Sequence, residues 1–231
     1  MGTRLMWPLQ SRNSVANVRF VFGVLKAAFK QAASLELIGK IPLAEGTFND
    51  FIKSKIKPKD ARLRLVDCGR LLEHWAARYR HETTTVALAV LILAHGTRID
   101  ETRQAGRAWH IPAVDTKTKK AHTLPLTAQA CAFLTRYRAS QTARPYLFPG
   151  AHGQPLSETP TQLAFVALAG EEWISHDLRK ATHTAWADLG VDYPIGELLL
   201  NHTPKTLDVT YIHTSAEAQK RQALKLACQA R

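Results

Sequence analysis

A mainly helical fold with one small antiparallel sheet is what this 231-residue sequence predicts. Apolar residues recur at a 3–4 spacing over several long stretches, and one of them, Thr84–His95, is apolar on nearly every side. Only two short runs, Trp109–Val114 and Ala121–Leu126, read as strands. The polar turn 115–120 between them makes the pair a hairpin.

Taken in order, the first helix spans Ser14–Leu37, with Val18, Val21, Phe22, Leu25, Phe29 and Ala32 on one face. Gly39 and Pro42 stop it. Residues 42–60 hold Pro42, Gly46 and Pro58 among Lys53, Lys55, Lys57 and Lys59, and read as a basic linker and domain boundary. Helices follow at Val66–Arg78 and Thr84–His95, the second expected to be buried. Gly96 ends it, and Arg98–Gln104 opens a shorter one. Past the hairpin, Thr127 is placed to cap a helix running to about Arg138. A loop with Pro145, Pro149, Gly150, Gly153 and Pro155 leads into five more helices, at 157–169, 176–189, 193–201, 205–212 and 216–229.

Composition narrows the function. With 45% hydrophobic and 22% charged residues, the chain reads as an ordinary globular protein. Its longest apolar run, Val86–Ala94, has nine residues, about half of what spans a bilayer. The first residues lack the apolar stretch of a secretory signal. Cys68, Cys131 and Cys228 are far apart and form no C-x-x-C pair, which argues against a disulfide scaffold or a structural zinc site. A cytoplasmic location is expected.

The charge is strongly positive and uneven. Lys and Arg number 31 against 19 Asp and Glu, a net +12, and residues 1–66 alone hold 12 against 4. A basic segment of this kind attracts polyanions, nucleic acid first among them.

Four separated features could carry chemistry. They are Gly96-Thr97-Arg98-Ile99-Asp100-Glu101, the turn lysines Lys117 and Lys119, His176-Asp177-Leu178-Arg179, and Leu199-Leu200-Asn201-His202 with Tyr211 nine residues on. Each is weak alone. Turn lysines usually solubilise, a single Tyr near a helix end usually packs, and Arg98 could simply pair with Glu101 one turn on. Their order and spacing together are specific.

On these residues the chain resembles the tyrosine recombinases, in particular phage- and genomic-island-type integrases. Gly96, Arg98 and Glu101 match G-x-R-x-x-E, and Lys117 matches the hairpin lysine. His176 and Arg179 match H-x-x-R, and Leu199-Leu200-Asn201-His202 matches L-L-G-H with Asn201 in place of Gly. Tyr211 matches the nucleophile, and the resemblance covers about residues 60–215. It implies the family's catalytic-domain fold and site-specific DNA cleavage and rejoining through a 3′-phosphotyrosine, with no cofactor or metal.

The residue types suit that chemistry. Arg98 and Arg179 would clamp the non-bridging oxygens of a phosphorane-like transition state, and His202 would add a donor. Tyr211 would attack in line. By resemblance, Lys117 is the general acid for the departing 5′ oxygen, with Lys119 as fallback. His176 is the general base or holds the cluster in register. Glu101 would orient Arg98. His183 and His95 read as ordinary helix residues, and Trp75, Trp173 and Trp186 as core.

The resemblance also implies an organisation: residues 1–58 as a partial, basic core-binding segment with its linker, and residues 59–231 as a catalytic domain with a C-terminal helix. That helix is expected to pack either on its own chain or on a neighbouring protomer. Expected partners are double-stranded attachment-site DNA, three further copies in a tetramer, and accessory DNA-bending proteins, in the cytoplasm of a bacterial host. The sequence departs from the family between Ala105 and Trp109, where a strand and turn are shortened, and at its front, where only part of a core-binding domain is present. The alternative these departures raise is a DNA-binding remnant that no longer cleaves.

Overall fold

The computed structural model describes residues 2–52, 60–103, 109–116, 119–141, 146–150, 154–202 and 216–229. The chain forms two compact units, Met1–Asp60 and Ala61–Arg231.

The first unit holds α1 (Gly2–Arg12), α2 (Val15–Ser34) and the single turn α3 (Phe48–Phe51). The Ser14 hydroxyl accepts a hydrogen bond from the Asn17 N–H (3.3 Å), which starts α2. Val18 and Phe22 of α2 are buried against Phe48 and Ile52. The Phe22 and Phe48 rings meet edge to face at 5.9 Å. The sequence reads residues 42–60 as linker throughout, and the structure corrects this for its middle. The Asp50 carboxylate accepts from the Thr47 N–H (2.6 Å) and hydroxyl (2.9 Å), folding the turn that brings Phe48 and Ile52 into the core. A four-residue helix is too short to display a period. α1 is also absent from the sequence expectation, because Pro8 lies inside it.

The second unit is built around α5 (Thr83–His95), reached through α4 (Cys68–Arg78). Then come α6 (Ile99–Arg103), β1 (His110–Ile111), β2 (His122–Thr123) and α7 (Ala128–Ala139). The chain closes with α8 (Glu158–Ala169), α9 (Ser175–Asp188), α10 (Tyr193–Leu199) and α11 (Glu217–Gln229).

Helix α5 touches α4, α6, α7, α8, α9 and α11. That surround is why its residues are apolar on every side: Val86, Ala87, Leu88, Ala89, Leu91, Ile92 and Leu93 are all buried. Trp75, Trp173 and Trp186 are buried as expected, with Trp75 and Trp173 edge to face at 5.7 Å.

The sheet is smaller than the strand candidates. His110 faces Thr123 and Ile111 faces His122 in an antiparallel pair. Pro112 cannot donate to a longer ladder, and residues 113–115 turn immediately as a short 3-10 helix. Thr127 caps α7 as expected, its hydroxyl accepting from the Ala130 N–H (3.2 Å). The C-terminal helix α11 packs on α10, α5 and α9 of its own chain, burying Ala223, Leu224 and Ala227. The helix expected at 205–212 lies outside the described residues. Among the described residues, no helix is long and apolar enough to cross a membrane.

Candidate active site

The site begins where α5 ends. Gly96 closes that helix in a left-handed conformation (φ 64°), its N–H donating to the Ile92 carbonyl (2.8 Å). The chain then turns straight into α6. The Thr102 hydroxyl donates to the Arg98 carbonyl (2.8 Å) and lies 2.6 Å from the Thr97 hydroxyl. This fixes Arg98 at the start of α6. Its backbone N–H and its Nη1 both donate to the buried Glu101 carboxylate, at 3.0 and 2.6 Å. Glu101 therefore orients Arg98, whose side chain remains 27% exposed.

Arg179 enters from α9. Its Nη1 donates to the Gly96 carbonyl (2.5 Å) and its Nη2 to the Leu200 carbonyl (2.6 Å), and Nη1 lies 4.0 Å from Glu101 Oε2. Two arginines thus meet at one buried carboxylate. Among the described residues, these hydrogen bonds engage two of the five N–H donors of Arg179. Burial, and then the neighbouring charge of Arg98, lower the Arg179 pKa to about 10, so it stays protonated at neutral pH.

His176 lies one turn before Arg179 on α9 and is exposed. Partial burial, followed by the charges of Lys180 and Arg179, holds its pKa below the ordinary value. A neutral imidazole there can accept a proton.

His202 follows α10. The N–H of Asn201 donates to the Leu198 carbonyl (3.2 Å) and that of His202 to the Glu197 carbonyl (3.0 Å), with Asn201 left-handed (φ 51°). This is a Schellman turn, in which the left-handed position takes Gly first and Asn second. The Asn at the glycine position of L-L-G-H is thereby explained. His202 Nδ1 lies 3.0 Å from Glu197 Oε2, and Glu197 Oε1 lies 3.5 Å from His183 Nε2.

Glu197 and His183 are the site residues that the sequence reading missed. The available signal was His183 at i+4 from Arg179 and i+7 from His176, on the same face of α9. The structure thus brings Arg98, Glu101 and Arg179 together and joins α10 to them through the Leu200 carbonyl. Lys117 and Tyr211 lie outside the described residues, as does the shortened segment at 104–108. The fallback Lys119 is exposed in the turn between β1 and β2.

Beside this cluster, His122 of β2 is buried, and its Nε2 donates to the Leu199 carbonyl (3.1 Å). Burial, then the charge of Lys220, lowers its pKa to about 4. The folded protein therefore prefers the neutral ring. Stability from this group is complete above pH 6.5 and is lost as pH falls from there towards 4, about 3 kcal/mol in all. Urea midpoints at pH 7 and pH 4.5 are expected to differ less in His122→Gln than in the wild type. An equal difference in both proteins would remove His122 from the account.

The fold is similar to that of solved integrase structures. The Tn1549 transposon integrase in complex with a circular intermediate DNA superposes with a TM-score of 0.71 at 16% identity, over 96% of this chain and 84% of that one. A lambda integrase dimer bound to a COC′ core site gives 0.68 at 15%, over 89% and 79%. A lambda integrase tetramer bound to a Holliday junction gives 0.66 at 14%, over 90% and 62%.

Residues 62–218 match the phage integrase family, and the chain belongs to it. Prophage integrase IntA of Escherichia coli K12 is 31% identical over 111 residues, which is 47% of this chain. The match spans 27% of the length of that relative.

Proposed function

We propose that the chain is a site-specific DNA recombinase that cleaves and rejoins duplex DNA through a 3′-phosphotyrosine on Tyr211. The observation that carries this is the meeting of Arg98 and Arg179 at the Glu101 carboxylate. Planar guanidiniums held side by side suit a phosphoryl centre that gains negative charge in the transition state.

In this reading Arg98, Arg179 and His202 contact the non-bridging oxygens. His176 takes the Tyr211 proton as the phenolic oxygen attacks phosphorus. Lys117 gives a proton to the departing 5′ oxygen, and the reverse steps reseal the strand. The roles of Lys117 and Tyr211 rest on their places in the family motifs. Residues 59–231, which hold the unit Ala61–Arg231, act as the catalytic domain, and residues 1–58 act as a core-binding segment and linker, whose positive charge attracts the phosphate backbone. The likeness to the lambda integrase tetramer on a Holliday junction supports assembly of four copies on DNA. The reading adds accessory DNA-bending proteins and the cytoplasm of a bacterial host.

The test uses a nicked, labelled attachment-site duplex taken from the genomic flank of the gene. An SDS-stable protein–DNA adduct is expected with the wild type and none with Tyr211→Phe. DNA retention without an adduct in either protein would instead assign the remnant reading, favoured by the shortened segment near Gly106.

A further inference from the structure

The established motifs leave one part of the site unused: a carboxylate shared by two imidazoles. Glu197 lies in α10, five residues before His202, with Oε2 3.0 Å from His202 Nδ1 and Oε1 3.5 Å from His183 Nε2. We propose that Glu197 is the positioning residue for His202, and that His183 braces Glu197 from α9. This rests on the recombinase reading above.

The argument starts from the ring. A histidine with Nδ1 given to a carboxylate has its plane and its proton placement set by that bond. Only Nε2 is left to meet a phosphate oxygen, and it does so as a donor when the ring carries both protons. His202 needs such a constraint because its backbone sits just past the end of α10, where the Schellman turn fixes the main chain but not the side chain. Its side chain is 37% exposed, so packing alone leaves it room to rotate.

The brace has its own support in the fold. His183 shares a face of α9 with Arg179, so the element that presents the buried guanidinium also presents the imidazole behind Glu197. On the facing helix, Gly196 makes room for it. A Cβ at position 196 would lie 3.3 Å from His183 Cδ2 and 3.4 Å from its Nε2. Glycine inside a helix is unfavourable by about 1 kcal/mol relative to alanine, and close approach of the ring is the gain set against it. Tyr193 closes the other side, its ring centroid 6.0 Å from that of His183. Glu197 thus has a separate partner for each oxygen, one from α9 and one from the residue it positions.

The experiment has two independent readouts. In ¹⁵N-histidine-labelled protein, long-range ¹H–¹⁵N spectra taken where the ring is neutral are expected to show the His202 proton on Nδ1. In Glu197→Leu it is expected to move to Nε2, the tautomer free histidine prefers. His202→Ala assigns the signal. The same tautomer with and without the carboxylate would overturn the proposal.

The second readout is the first-order rate of adduct formation at saturating DNA. Glu197→Leu is expected to lower it about tenfold or more while DNA affinity changes less than about twofold. Glu197→Gln keeps an acceptor oxygen and is expected to fall between. In a His202→Ala background, Glu197→Leu is expected to have no further effect. An equal loss in both backgrounds would mark Glu197 as merely structural and overturn the role. If Leu at this position prevents folding, Glu197→Gln carries both measurements. If the wild type forms no adduct, the recombinase reading fails, and the nitrogen spectrum alone decides the positioning.

Discussion

Arg179→Ala is expected to lower adduct formation by at least about a thousandfold and to destabilise the second unit by about 3–5 kcal/mol. Both effects come from one guanidinium. It is almost wholly buried and donates to the carbonyls of Gly96 and Leu200, which close α5 and end α10. Among the described residues, removing it takes the donor from two buried carbonyls and leaves Glu101 its ion pair with Arg98. Arg179→Lys keeps the charge, but one ammonium cannot reproduce a planar fork that reaches two carbonyls from two sides. Lysine is therefore expected to recover part of the stability and little of the rate. Chemical denaturation beside a single-turnover adduct assay separates the two. A stable Arg179→Ala protein would show that these carbonyls find other donors, and that the arginine is not the structural joint described here.

Gly96→Ala is expected to cost about 2–4 kcal/mol, a large effect for one methyl group. The added Cβ would lie 2.7 Å from Leu200 Cδ2 and 3.1 Å from Trp186 Cη2, at a φ of +64° that side chains disfavour. Trp186 is buried in the core and cannot swing away. Relief therefore requires the backbone at 96 to move, which carries its carbonyl away from Arg179. The thermal midpoint should fall, and the adduct rate should fall even well below that midpoint. An unchanged midpoint would mean that Leu200 yields freely.

Legibility in the sequence followed the length of each pattern. α5 was plain because its stretch from Val86 to Leu93, buried on nearly every side, is apolar throughout. Arg98, His176, Arg179 and His202 stand at motif intervals visible in the sequence, and the structure brings Arg98 and Arg179 to one carboxylate. α1 and α3 were not: Pro8 interrupts the first, and a four-residue turn has no period. The strands were overextended because Pro112 looks like any strand end until the 3-10 turn behind it is seen. Glu197 escaped because a carboxylate five residues before a histidine forms no helical i, i+4 pair. The Schellman turn reverses the chain and brings the two together.

The shared carboxylate of Glu101 has a consequence for ionic strength. Two guanidiniums and one carboxylate carry a single net positive charge, and one phosphodiester seated there brings the cluster to neutrality. Such a clamp displaces roughly one counterion from DNA, about 0.9 by the usual accounting. The steep salt dependence expected of so basic a chain must then arise elsewhere, chiefly in residues 1–66, where Lys and Arg outnumber Asp and Glu 12 to 4. On the proposed recombinase reading, salt would release the protein from DNA long before it disturbed the reacting phosphate, and holding the duplex and cutting it would answer to different parts of the chain.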